Sequence, residues 1–251
     1  MEHVRVFTHR LDLALRLVDT TSGRNVSGRD VEIFMDGKQV RFGEKGDQLL
    51  IFQGLEPRSF RLEIVSRAFE RAERMVDLDA LDKTLPLLEI HLIPRENYPG
   101  GMELLSLTGT LPGIQELSAV RMGDNACLIR EFDPRRRTAK IFNPHHLSLD
   151  RVQYALVDPD RCIYEPFRIL RMTDEQTLKA DRILELPFKN YFPIAPLVSG
   201  IAREDGSYCL RVRDDATDAR WIVRWVVNGK EQFRTVNFRE TAHPRLEEGG
   251  G

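Results

Sequence analysis

The sequence predicts an all-β protein built as two sandwich-like antiparallel β domains, the second with one short helix. Three observations carry this reading. Apolar residues recur with period two in short runs, as at Leu11, Leu13, Leu15 and Leu17 and again at Leu88, Ile90 and Leu92, the pattern of strands with one buried face. Turn chemistry separates these runs, and Asp36-Gly37 and Asn228-Gly229 are pairs that supply the positive φ of a two-residue hairpin. The stretch Pro94 to Gly101 holds two prolines and a Gly-Gly pair, which interrupt either periodicity and mark a boundary. The expected division is residues 1–95, residues 96–242, and a disordered tail over 243–251. A chain of 251 residues accommodates two domains of ordinary size.

In the first domain, Leu11 to Val18 reads as a half-buried strand. Asp19 to Gly28 is a loop by composition, and Val31 to Met35 is a second strand entering the Asp36-Gly37 turn. Lys38 to Phe42 returns, and Gly43 to Asp47 turns again. Leu49 to Val65 reads as strand, tight turn and paired strand, with Leu55 and Phe60 as core candidates and Pro57 as turn former. Ala68 to Leu78 is expected to be extended, and Pro86 to Pro94 closes the domain with a strand.

The order of these pieces resembles the transthyretin-like (carboxypeptidase-regulatory, or Cna-B type) β-sandwich. The residues that carry the resemblance are Val18 to Gly28 before Val31-Glu32-Ile33, then Phe52-Gln53-Gly54-Leu55-Glu56-Pro57-Arg58-Ser59-Phe60-Arg61-Leu62-Glu63-Ile64. Arg58 stands where that family favours glycine, and the family's preceding Thr-Asp-x-x-Gly run is reduced to Gly46-Asp47. The resemblance spans roughly residues 8–94 and implies a spacer or interaction module rather than a catalyst. A similar module followed by a Pro-x-x-x-Tyr-Pro linker, here Pro94 to Pro99, resembles accessory proteins of phage-tail-like contractile particles.

In the second domain, β patterns begin at Met102 and recur at Cys127 to Ile129, Ala139 to Phe142, Val152 to Val157 and Ile163 to Met172. Thr173-Asp174-Glu175-Gln176 fits a capping box and predicts a short helix over about 174–181. Asp205 to Val212 echoes the Gly-x-Tyr-x-Leu-x-Val strand of the family named above. The hairpin Trp221 to Val236 turns at Asn228-Gly229, which sets Arg224 opposite Phe233 and Trp225 opposite Gln232. Trp221, Val223, Trp225 and Val227 share one face of its first strand, Ile222 and Val226 the other. A strand apolar on both faces is central or lies at an interface.

The net charge of -2 lacks the basic excess of a dedicated nucleic-acid binder, so nucleic acid is not an expected partner. No apolar run approaches the ~20 residues of a membrane-spanning helix, so no membrane is expected. Met1 to Phe7 lacks the apolar core of a signal peptide. Cys127, Cys162 and Cys209 form no CxxC pair, which points to free thiols in a reducing, cytoplasmic setting, with release as part of a particle also open.

Candidate chemistry is sparse. His145-His146 lacks further ligands at nearby spacing, so no metal is expected. Asp158-Pro159-Asp160 reads as a turn, and Arg135-Arg136-Arg137 as a solvated hairpin tip. No nucleophile elbow, SxxK, dinucleotide or P-loop motif occurs, so no catalytic residue and no cofactor is expected. Trp221 and Trp225 suit core packing; exposed, they would form a stacking platform or a partner hot spot. Tyr98, and also Tyr191 and Phe192, are further contact candidates. The leading expectation is a non-catalytic structural or interaction protein, a subunit of a larger assembly such as a phage-tail-like contractile particle, whose partners are other subunits or copies of itself. The alternatives are a carbohydrate- or peptide-binding module and a cryptic hydrolase.

Overall fold

A computed structural model describes residues 11–56, 58–96, 98, 103–123, 127–143, 149–186, 191–213, 219–240 and 246. Strands dominate these residues, and the helical elements are three-residue 3-10 turns at Gly28–Asp30, Gly46–Gln48 and Leu78–Ala80. The chain divides into two compact units, residues 1–19 with 25–98 and residues 20–24 with 99–251.

The first unit carries β1 (Leu13–Asp19), β2 (Glu32–Met35), β3 (Lys38–Gln39), β4 (Gly43–Lys45), β5 (Leu49–Phe52), β6 (Ser59–Val65), β7 (Ala72–Asp77) and β8 (Leu87–Leu92). They form two four-stranded sheets, ordered β4-β5-β1-β8 and β3-β2-β6-β7. Alternate residues of both sheets meet in one core: Leu13, Leu15, Leu17, Leu50, Phe52 and Leu88 from the first, Ile33, Phe60, Leu62, Ile64 and Val76 from the second. This is a sandwich, its inner faces set by the period of two. Asp36 (φ 49°) and Gly37 (φ 76°) make the hairpin between β2 and β3. Pairing is antiparallel except between β1 and β8, the unit's first and last strands, which run parallel over Ala14–Asp19 and Leu87–Leu92.

The Leu49–Val65 stretch departs from expectation. β5 pairs with β1 and β4, while β6 pairs with β2 and β7, so the two strands belong to opposite sheets. The connection between them is a corner that crosses the sandwich, not a hairpin turn. Strand and turn composition are the same in both cases; the pairing partner differs. The corner is held by Asp12, whose carboxylate accepts from Leu55 N–H (3.1 Å) and Arg58 Nη1 (3.3 Å), and by Arg58 donating to Asp79 (3.1 Å). Arg58 contributes to the corner through its side chain. Pro57 lies outside the described residues.

The second unit carries β9 (Leu104–Thr110), β10 (Ile114–Arg121), β11 (Cys127–Asp133), β12 (Thr138–Phe142), β13 (Tyr154–Asp158), β14 (Ile163–Phe167), β15 (Ile169–Asp174), β16 (Thr177–Ala180), β17 (Phe192–Pro196), β18 (Val198–Ser199), β19 (Ile201–Ala202), β20 (Ser207–Arg213), β21 (Arg220–Val227) and β22 (Lys230–Asn237). Its sheets are β18-β10-β21-β22, β19-β20-β9, and a curled seven-stranded sheet ordered β14-β13-β17-β11-β12-β16-β15. The first two pack together as a sandwich around Leu107, Leu117, Leu210, Val212, Trp221, Val223 and Trp225. The seven-stranded sheet is inserted in sequence between β10 and β18, and its concave side closes over Ile129, Ile141, Tyr154, Leu156, Phe167 and Ile194.

The hairpin β21–β22 has the expected register, with Arg224 opposite Phe233 and Trp225 opposite Gln232, and Asn228 (φ 50°) and Gly229 (φ 75°) at its turn. Its two apolar faces are explained inside the unit. Trp221, Val223 and Trp225 face the sandwich core. Ile222 lies on the other side, packed with Val120 of β10 against Ala155, Val157, Tyr164 and Ala195 of the seven-stranded sheet. β21 is therefore the centre of a three-layered unit, and its second face needs no partner from outside.

The short helix expected over 174–181 is absent; β15 and β16 form a hairpin there. The capping-box side chains make turn bonds instead: Asp174 Oδ1 accepts from Gln176 N–H (2.8 Å) and Thr173 Oγ1 donates to Thr177 O (3.0 Å). A helix would also have withdrawn Thr177–Lys179 from their ladder with β12. The tail expected to be disordered is outside the described residues except Leu246, which is buried in the sandwich core with its N–H donating to the Tyr208 hydroxyl.

Candidate functional site

Trp221 and Trp225, the aromatic pair considered for ligand contact, are 8% and 5% exposed. Trp221 packs edge-on to Phe238 at 6.1 Å. Neither presents a ring face to solvent, because their strand positions point into the sandwich; the alternation with valine was the signal of that. Tyr98 is half-buried against the core of the first unit. Its ring meets Phe69 at 5.7 Å and its hydroxyl donates to Asp19 Oδ2 at 2.8 Å. His145-His146 lies outside the described residues. Asp158 is buried and caps the β13–β14 turn by accepting from Arg161 N–H at 3.2 Å. Among the described residues no group of three or more His, Cys, Asp or Glu side chains could hold a metal ion, and no helix is long and apolar enough to cross a membrane.

Two features of the second unit draw polar or aromatic groups together. The first is an open cleft of about 720 Å³ lined by Tyr164, Glu165, Arg182, Glu185, Arg224 and Glu231 among others. Arg224 follows Ile222 on the same face of β21. Its guanidinium donates to Glu116 (2.7 Å) and Glu231 (Nε, 3.0 Å). Burial works against its charge, but these carboxylates hold the proton more firmly than usual. Tyr164 shares a 2.7 Å hydrogen bond with Ser118, and burial pushes its hydroxyl pKa well up. The bond ties β14 to β10 across the layer. Cys127 is likewise pushed up, to about 12, by burial, which makes an inert thiol.

Glu165 is the group in the cleft whose titration shifts toward neutrality. Burial raises its pKa, opposed by N–H donation from Leu186 (3.0 Å) and Glu185 (2.7 Å). The unfolded chain ionises this carboxyl at the ordinary value while the folded chain still holds the proton. The folded state then binds more protons, so this group's contribution makes stability fall as pH rises through that window. Glu165→Gln should remove the fall. Urea unfolding at several pH values is expected to show the variant gaining on the wild type from acid toward neutral pH; a difference independent of pH would contradict it.

The second feature is on the convex side of the seven-stranded sheet. Strand parity divides the sheet's two sides: Cys127, Ile129, Ile141, Phe192 and Ile194 point into the concave core, so Leu128, Phe142 and Pro193 point to the convex side. They form one cross-strand row, with Leu128 opposite both Phe142 and Pro193. At its other end the same side is covered by β10 and β21. Here it is open: Phe142 is 40% and Tyr191 52% exposed. Arg130 lies over both rings, 4.8 Å from the Phe142 centroid and 5.7 Å from that of Tyr191. Arg130 sits at a register shift between Ile129 and Glu131, a bulge that re-aims a side chain. Tyr191 has a φ of 73°, a conformation that costs a bulky residue about 1–3 kcal/mol.

Tyr191 was a contact candidate from its place beside prolines; Arg130 and Phe142 were not. Their signal was a broken alternation. Cys127, Ile129 and Phe132 pack toward one core, and the three-residue step from Ile129 to Phe132 is the mark of an extra residue in the strand. Comparison of the chain with protein-family models, with curated proteins and with solved structures gave no match.

Proposed function

We propose that the chain is a non-catalytic structural or interaction protein, a subunit of a larger assembly such as a phage-tail-like contractile particle, with a transthyretin-like first unit serving as a spacer. The observation that supports this reading is the half-open convex side of the curled sheet. One half of that side is buried by the chain's own strands, while the other displays Phe142, Tyr191 and Arg130. An aromatic and arginine cluster is the residue chemistry of protein–protein hot spots. The site residues for this reading are therefore Phe142, Tyr191 and Arg130, in place of the tryptophans.

Native mass spectrometry of the chain isolated from its own cells tests this. A complex of defined stoichiometry is expected, and it should be lost in a Phe142→Ser/Tyr191→Ser double variant whose melting temperature is unchanged. A monomer without partners, or a complex indifferent to the double variant, would sink the proposal.

A further inference from the structure

We infer that the Arg130 surface takes a carboxylate-rich acidic segment of a partner protein, an inference that rests on the docking reading above. The hairpin β11–β12, Cys127 to Phe142, carries five basic side chains (Arg130, Arg135, Arg136, Arg137 and Lys140) against two acidic ones (Glu131 and Asp133), within a chain whose net charge is -2. Part of this charge is used internally. Lys140 pairs with Glu131 at 2.8 Å, Arg136 with Asp133 at 3.7 Å, and Arg137 donates to Asp181 O at 2.6 Å. The guanidinium of Arg130 makes no hydrogen bond or close ion pair with a described residue; it lies over the two rings, and the neighbouring Glu131 carboxylate, itself paired with Lys140, feels its charge.

That arrangement selects its ligand. A guanidinium that sits over aromatic rings keeps its N–H donors for an acceptor. A fixed planar fork matches a carboxylate bidentately. The ring faces turned toward Arg130 are occupied by the guanidinium, so they do not form an empty slot for a nucleobase. The row of Phe142, Leu128 and Pro193 beside it offers apolar contact to the residues flanking the acidic group. An acidic peptide segment satisfies the charge, the fork and the apolar row together.

The test uses the full chain and a fluorescein-labelled octaglutamate peptide, read by anisotropy, with octaserine and an eight-nucleotide oligothymidine as comparators. Octaglutamate is expected to bind, more weakly at ~300 mM than at ~50 mM salt. Arg130→Lys, which keeps the charge but loses the fork, should weaken binding roughly tenfold without lowering the melting temperature. No octaglutamate binding, equal binding by Arg130→Lys, or tighter binding of oligothymidine would each overturn the inference. A native complex lost in the Phe142→Ser/Tyr191→Ser variant but kept in Arg130→Lys would leave the docking surface standing and remove its acidic partner.

Discussion

Replacing Ile222 with aspartate is expected to unfold the second unit. Ile222 is fully buried in the middle of β21 and closes against Val120, Ala155, Val157, Ala195 and Leu197. Removing its side chain alone would cost about 2–5 kcal/mol. The carboxylate that replaces it would sit among these apolar side chains, and the polar groups on that side, Tyr164 and Arg224, are already bonded to Ser118 and to Glu116 and Glu231, so burying the charge adds several kcal/mol more. Together these rival the roughly 5–15 kcal/mol that holds a domain folded. Both tryptophans lie on the same strand, at 221 and 225, so their emission reports this unit directly. The variant should show red-shifted emission and lost hydrogen-exchange protection over residues 104–237, whereas Ile222→Val should cost only about 0.5–1.5 kcal/mol. Native emission from Ile222→Asp would mean that the layer between β21 and the curled sheet is not a closed core.

The position of β21 also shows where sequence reasoning reached and where it stopped. Asn228-Gly229 determined the hairpin and its register because a two-residue turn leaves no freedom in pairing. Two apolar faces marked the strand as central or interfacial. Which of these held was invisible, since the covering residues Ala155, Val157 and Ala195 come from an insertion far away in the chain, and periodicity carries no information on non-local pairing. The capping box at Thr173–Gln176 failed for a related reason. Its side chains serve a turn as well as a helix, and the ladder from Lys140 to Thr177 decided between them.

The candidate site was harder still. The aromatic residues first considered were those with the largest rings, and Trp221 and Trp225 proved to be core. Phe142 looked like an ordinary strand residue, and its exposure depends on where the covering sheet ends. Arg130 is distinguished only by the bulge beneath it. Surface clusters of this kind arise from three strands in register, β12, β11 and β17, two of which are some fifty residues apart, so local pattern could supply Tyr191 but not its companions.

In the first unit, Phe60→Ala is expected to cost about 3–5 kcal/mol. Phe60 is 2% exposed, stands on β6 opposite Val76, and points into the core shared by both sheets. Leu55, a core candidate on equal terms in the sequence, packs only partly against that core from the corner between β5 and β6, so Leu55→Ala should cost distinctly less. The corner itself is held by Asp12 and Arg58 rather than by apolar packing. Because the first unit contains no tryptophan, its unfolding is followed by hydrogen exchange over residues 13–92, with tryptophan emission as an internal control for the second. Phe60→Ala should lower the urea midpoint of the exchange-monitored transition and leave that of the emission-monitored one in place. If the loss falls below about 1 kcal/mol, or Leu55→Ala matches it, Phe60 does not hold the two sheets together. A shift of both midpoints by the same amount would instead show that the two cores unfold as one.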